Sequence, residues 1–246
     1  MNIICSEHFY SIQGEGRTMG IPAVFLRLTA CNLMCGGRGT EKDKKLHHGA
    51  TWRCDTLEVW RKGQKYTINQ FVLLVVDNYE TQLRKGAHLV ITGGEPLLQQ
   101  KAIEPFLERL EIVLGFKPFI EIETNGTISP KGTIFQKVDL FNCSPKLSNS
   151  GEPEKKRIKK EVLHLLNLTP NSIFKFVVSD EKDIEEIQTI IDKVGIKNDK
   201  IYIMPSAENQ TQLKMFTDIA VKLCLKYAYN FSTRLQIIIW NETTGV

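Results

Sequence analysis

At 246 residues with 42% hydrophobic side chains, the chain can bury a sizeable core and is long enough for one large domain or two small ones. Its net charge of +4 is mild, so it gives no support to a nucleic-acid partner and only weakly favours an anionic small molecule. No apolar window reaches a membrane span, the first residues lack a secretory signal, and six unevenly spaced cysteines form no disulfide framework, so a cytoplasmic setting without membrane attachment is expected.

Residues 2–22 carry Gly14, Gly16 and Gly20 between two extended pieces, a loop in which backbone can approach a ligand closely; an ordinary hairpin turn explains the same spacing equally well. Residues 23–28 read as a buried strand. Beyond it, Cys31, Cys35 and Cys54 bring together three soft thiolates suited to a metal ion or an iron–sulfur cluster. Residues 36–53 are polar and glycine-rich, so they are expected to form an exposed loop without regular structure.

Thr67 can cap a helix running through Phe71, Leu74, Val75 and Leu83 to Gly86. A strand at 88–92 leads to the turn Gly93, Gly94, Glu95, Pro96. The next helix places Ile103, Phe106, Leu107, Leu110 and Leu114 on one face and stops at Gly115. Strand 119–123 ends near Asn125 and Gly126, and strand 139–143 leads to Ser144, Pro145 and Lys146. A charged segment precedes a helix at 162–168. Strand 173–178, helix 181–194, strand 201–204, helix 209–228 and a last strand at 234–240 follow, the last apolar enough for burial on both faces.

This alternation predicts parallel strands with helical crossovers, in an α/β sheet or a barrel. In either, ligands gather at the carboxyl ends of the strands. Five polar turns fall there: those at Cys31, at Gly93 to Glu95, at Glu123 to Asn125, at Ser144 to Lys146 and at Pro205.

Taken together these turns resemble the radical S-adenosylmethionine enzymes and, among them, the 7-carboxy-7-deazaguanine synthases. The motifs span nearly the whole chain: Ser11 to Gly16, Phe25 to Leu28, Cys31 to Cys35, Cys54 to Thr56, Thr92 to Leu97, Glu123 to Gly126, Ser144 to Ser148 and Arg234 to Trp240. The resemblance implies a single domain over residues 1–246. Its fold would be α/β, a partial (β/α)6-type parallel barrel with an N-terminal extended hairpin. The implied reaction is ring contraction of 6-carboxy-5,6,7,8-tetrahydropterin to 7-carboxy-7-deazaguanine with loss of ammonia.

By the same resemblance, Cys31, Cys35 and Cys54 would hold a 4Fe-4S cluster. S-adenosylmethionine would meet Gly93, Gly94, Glu95, Glu123, Asn125, Ser144, Pro145, Lys146, Met204, Pro205 and Ser206, with Glu95 accepting from its ammonium. The pterin would meet Ile12, Gln13, Gly14, Glu15, Arg27, Thr92 and the Val246 carboxylate, and Thr56 would bind Mg2+. An electron donor such as flavodoxin or ferredoxin and a homodimer are implied as well.

The cysteine spacing departs from the family pattern, because eighteen residues separate Cys35 from Cys54 where two are usual. Residues 36–51 read as an insertion that loops out, which by loop-closure entropy costs about 1–2 kcal/mol and leaves the site intact. Other readings stand beside this one. A Cys3His zinc module could recruit His47 or His48, an electron carrier would normally need a fourth cysteine, and a glycyl-radical activase would share the cluster. Arg27 could instead form a structural salt bridge, and Asp55 with Thr56 could simply begin a helix.

Overall fold

The computed structural model describes residues 1–243 and 245. The chain begins with an antiparallel hairpin, β1 (Asn2–Ile12) and β2 (Pro22–Leu28), in which Phe9 faces Phe25. The segment after β2 carries two one-turn helices, α1 (Thr40–Asp43) and α2 (Leu57–Trp60), and returns as β3 (Gln64–Thr67), antiparallel to β1.

Regular crossovers follow. α3 (Ile68–Arg84) leads to β4 (His88–Gly93), α4 (Gln100–Leu114) to β5 (Ile120–Thr124), and the short α5 (Ile134–Lys137) to β6 (Leu140–Cys143). α6 (Glu154–Arg157) and α7 (Lys160–Leu168) precede β7 (Ser172–Val178), and α8 (Asp183–Val194) precedes β8 (Ile201–Pro205). The chain closes with α9 (Gln210–Tyr227), a two-residue β9 (Asn230–Phe231) and α10 (Leu235–Trp240).

Among the described residues these strands form one sheet in the order β3-β1-β2-β4-β5-β6-β7-β8-β9, parallel from β2 onward. The two faces are chemically different. Leu89 and Ile91, Ile120 and Ile122, and Phe174 and Phe176 pack beneath the helices with Phe71, Phe106, Leu163 and Ile187. Their strand neighbours Thr92, Glu123 and Lys175 point the other way and, with Arg27, Asn142 and Met204, line one cavity. Six adjacent strands of this mostly parallel sheet therefore turn one polar face toward a common cavity.

Local chemistry accounts for the helix boundaries. At the start of α3 the Thr67 hydroxyl accepts from the Gln70 amide while the Gln70 side chain accepts from the Thr67 amide, a capping box worth about 1 kcal/mol. α4 and α8 stop at Gly115 and Gly195, both left-handed, as the glycine spacing predicts. No described helix is long and apolar enough to cross a membrane.

Two expectations are corrected. Residues 234–240 are not a strand: β9 ends the sheet at Phe231, and residues 235–240 turn into α10. The apolar run here has no alternation, so its periodicity does not separate strand from helix. Only Ile237 is buried, whereas Ile238 and Ile239 are about half exposed (50% and 47%), which rules out burial on both faces. Residues 36–53 are also more ordered than expected. They contain α1 and bury Gly36, Gly37 and Thr40. The expected contact from Val246 lies outside the described residues.

Candidate active site

A cavity of roughly 290 Å³ opens at the carboxyl ends of the parallel strands. The turns expected there converge on it: Ile12 to Glu15, Arg27, the three cysteines with Thr56, Thr92 to Gly94, Glu123 and Asn125, Ser144 and Lys146, and Met204 and Ser206. Glu95, Pro145 and Pro205 stand behind this lining.

The three thiols occupy one corner, and the backbone explains how the long excursion between two of them closes. The Cys54 amide donates to the Cys35 carbonyl at 3.2 Å, and His47 donates to the Gly36 carbonyl at 2.8 Å. Gly36 and Thr51 donate to the Ser150 and Asn149 carbonyls, both at 2.9 Å, so each end of the insertion is fastened to the turn after β6. Arg53 reaches back to the buried Thr40 hydroxyl at 2.9 Å. On the other flank, the Glu95 amide donates to the Ala30 carbonyl at 2.8 Å. A Cβ at Gly94 would stand 2.2 Å from that same oxygen, so this close approach requires glycine.

Burial pushes the Cys31 thiol up to about 11 and the Cys35 thiol higher still, while the Lys146 ammonium pulls both down. Ligation must therefore displace protons from these thiols. Donors already face two of the sulfurs: Asn125 Nδ2 lies 3.8 Å from Cys31 Sγ, and Trp60 Nε1 lies 3.5 Å from Cys54 Sγ. Among the described residues no three His, Cys, Asp or Glu side chains come together tightly enough for a single ion. Three thiols around a shared cavity suit a polynuclear cluster, in which each sulfur serves its own iron. His47, the fourth ligand a zinc module would need, is 3.0 Å from both Asp43 carboxylate oxygens.

Glu95 is fully buried and its oxygens are occupied from within. They accept from the Leu97 amide at 3.0 Å, from Thr124 Oγ1 at 2.9 Å and from the Asn125 amide at 2.7 Å. Burial raises its carboxyl to about 7, against the pull of those donors. The carboxylate thus clamps the turn after β4 to the turn after β5, and sets Gly93, Gly94 and Asn125 at the cavity wall. Lys146 donates to Ser144 Oγ at 3.0 Å, and its ammonium lies 5.6 Å from the centre of the Trp52 ring.

The opposite corner is a network of fixed charges and amides. Gln13 Nε2 donates to Glu121 at 3.2 Å and to Glu123 at 3.1 Å, and Thr92 Oγ1 donates to Glu123 at 2.7 Å. Glu121 also accepts from Thr18 at 2.5 Å and from Asn142 at 3.0 Å; burial, reinforced by the charge of Glu123, raises it to about 7. Arg27 Nε pairs with Glu7 at 2.7 Å, the salt bridge weighed as its alternative role, and the guanidinium still lines the cavity.

Glu15 pairs with Lys175 at 2.5 Å and with Arg234 at 3.0 Å, and accepts from Gln236 at 2.8 Å. Burial alone would raise its carboxyl, but the two cations hold it below the usual carboxylate range. Thr56 is the first residue before α2, and its side chain makes no capping bond. That hydroxyl lies 3.6 Å from Cys54 Sγ and lines the cavity.

Several of these residues escaped sequence reasoning. Lys175 is a lone charge inside an apolar strand, the signal that drew attention to Arg27, and could have been found by it; Glu121 alternates with Glu123 along β5 and shares its polar face. Glu7, Asn142 and Gln236 carry no such mark. Arg234 appeared only as the start of the terminal motif, where the strand reading hid its function.

A mostly parallel sheet with one polar face turned to a cavity, and a three-cysteine loop after the first parallel strand, has the arrangement of the radical S-adenosylmethionine enzymes, whose chemistry implies a 4Fe-4S cluster and S-adenosylmethionine. The comparisons with known proteins narrow the class. The chain is 31% identical to 7-carboxy-7-deazaguanine synthase of Pyrobaculum aerophilum, across 97% of this chain and 95% of that protein. It is 30% identical to the enzyme of the same name from Halobacterium salinarum, across 96% and 90%. The crystal structure of QueE from Escherichia coli has the same fold, with a TM-score of 0.65 and 23% identity over 96% of this chain and 95% of that one. No protein-family model matches the chain. The chain belongs to the 7-carboxy-7-deazaguanine synthase family.

Proposed function

We propose that this cavity contracts 6-carboxy-5,6,7,8-tetrahydropterin to 7-carboxy-7-deazaguanine with release of ammonia, as a radical carbon–nitrogen lyase of 7-deazapurine biosynthesis. The observation that carries the reading is the union, in one cavity, of a three-thiol corner with a separate corner of fixed carboxylates, an amide and a guanidinium.

A bound iron–sulfur cluster with S-adenosylmethionine supplies one-electron reductive cleavage and the carbon radical that starts such chemistry. The chain's residues bind, orient and exclude water. Cys31, Cys35 and Cys54 would hold the cluster. The Gly93 and Gly94 backbone, Glu123, Asn125, Ser144 and Lys146 take the cofactor's polar groups, and Met204 and Ser206 its base. Glu95, Pro145 and Pro205 hold those turns in place.

On the substrate side, Arg27 has only its Nε engaged among the described residues, so its outer nitrogens suit the pterin carboxylate. Ile12, Gln13, Gly14, Glu15 and Thr92 meet the polar edge of the ring. Thr56, with its hydroxyl uncommitted to a cap, would serve as a ligand to Mg2+. A flavodoxin or ferredoxin supplies the electron in the cytoplasm. Two copies form a homodimer, a reading supported by Tyr10, Met19 and Ile21, which are exposed on the β1–β2 hairpin.

The test is anaerobic iron–sulfide reconstitution followed by incubation with S-adenosylmethionine, reductant and the carboxypterin, with and without Mg2+. The expected result is 5′-deoxyadenosine together with 7-carboxy-7-deazaguanine, in larger yield with Mg2+. Deoxyadenosine formed while the carboxypterin stays intact would overturn the substrate.

A further inference from the structure

The segment from Ser232 to Gln236 grips the turn at Gly14 to Gly16 along its whole length. The Gly16 amide donates to Ser232 Oγ at 2.8 Å, and the Leu235 amide donates to the Gly14 carbonyl at 2.9 Å. Gly14 lies so close that a Cβ there would stand 1.8 Å from Gln236 Oε1. At the centre of this contact is Arg234, whose side chain is about 14% exposed. Its Nε pairs with Glu15 at 3.0 Å, one outer nitrogen pairs with Asp55, and the other donates to the Ala207 carbonyl beyond β8.

One planar fork therefore joins three segments remote in sequence: the turn of the N-terminal hairpin, the residue between Cys54 and Thr56, and the loop after the last long strand. With Lys175 it sets two cations against the two carboxylates of Glu15 and Asp55. Among the described residues, loss of Arg234 would leave Asp55 without an ionic partner and Glu15 with one.

We propose that Arg234 is a positioning residue that assembles the substrate end of the cavity. It fixes the Glu15 carboxylate and the Asp55–Thr56 step relative to each other, and contributes nothing to ligation of the cluster. The assignment of that end to the pterin rests on the function proposed above; the mechanical claim about Arg234 does not.

The test compares Arg234→Met and Arg234→Lys with the parent by amide hydrogen exchange of the protein without cofactors, and by kinetics after reconstitution. In Arg234→Met, exchange is expected to rise at least tenfold at residues 14–16 and 55–57 and to stay unchanged in α3 and α4. Iron content and substrate-free deoxyadenosine formation stay at parent levels while KM for the carboxypterin rises at least tenfold. Arg234→Lys recovers part of the KM, because it keeps the charge but lacks the fork.

Parent-like exchange at both segments would overturn the proposal, as would equal losses of iron, substrate-free cleavage and turnover. Should Arg234→Met fail to fold, Asp55→Asn serves in its place, since Arg234 then keeps Glu15. Loosening of 55–57 with a KM rise of about threefold is expected, and unchanged exchange there would overturn the link to the cluster loop. If the parent itself leaves the carboxypterin intact, the substrate assignment fails, and the exchange data alone decide the role of Arg234.

Discussion

Cys54 donates its amide to the Cys35 carbonyl at 3.2 Å, so the eighteen residues between these thiols leave and return at almost the same place. The insertion is a closed excursion hung on one backbone bond and on the Asn149–Ser150 turn. That geometry lets Cys31, Cys35 and Cys54 line one corner of the cavity despite their unusual spacing.

Replacement of Cys31, Cys35 or Cys54 by alanine is expected to abolish iron uptake on anaerobic reconstitution, each being one of the three protein ligands proposed. Cys143, the last residue of β6, is fully buried and faces the helix-side core, so Cys143→Ala keeps full iron and loses about 1–2 kcal/mol of stability. Iron analysis and urea unfolding check both. A Cys35 variant that still carries a full complement of iron would remove it from the ligand set.

Deleting most of the insertion, so that two residues join Cys35 to Cys54, should preserve iron binding because the ends already touch. The variant loses the Gly36 and Thr51 bonds to the β6 turn and the burial of Thr40. At about 1 kcal/mol per lost hydrogen bond, Tm should fall by roughly 5–10 °C. A scan of the two proteins before reconstitution measures this, and loss of iron from a folded variant would mean that the insertion shapes the cluster corner itself.

Gly94→Ala places a methyl group 2.2 Å from the Ala30 carbonyl oxygen, with Cys31 Cβ only 2.7 Å away. Because the obstacle is backbone, the loops must separate, at an expected cost of about 2–4 kcal/mol and with reduced iron content. Gly115→Ala is the control. There a Cβ meets open space and only the left-handed backbone is strained, so the cluster should be untouched. Equal iron content in the two variants would argue against the tight contact.

Glu95 and Glu121 give stability a definite pH dependence. Both carboxyls are raised from 4.5 to about 7 in the folded chain, chiefly by burial, so between those values the folded state binds more protons than the unfolded one. Their contribution to stability therefore falls as pH rises from about 4.5 to 7. Glu15 acts with the opposite sign and in a lower window: its carboxyl is depressed, so its stabilisation is complete above 4.5 and is lost as pH drops below it. Glu121→Gln should remove about half of the decline between pH 5 and 7.5, a difference on the order of 1–3 kcal/mol in urea unfolding. An unchanged slope in that variant would assign the effect elsewhere.

Much of this protein was legible before its structure. The cap Thr67, the stop glycines 115 and 195, and the apolar faces of α3 and α4 are local signals, because helix ends and amphipathic stripes are decided within a few residues. The same holds for the three cysteines and the turns at strand ends, since alternation of strand and helix places those turns on one side.

Tertiary structure alone decided three things. Residues 235–240 became a helix because an apolar run without alternation is compatible with either state, and the anchoring of Arg234 by Glu15 and Asp55 turns the chain away from the sheet edge. Glu95 became an internal clamp because its partners Thr124 and Asn125 lie at the end of the next strand of the sheet. The pairing of Arg27 with Glu7 follows from a strand register that no local pattern specifies. In each case the deciding partner is distant in sequence, so the choice belongs to packing and electrostatics, which local preferences do not encode.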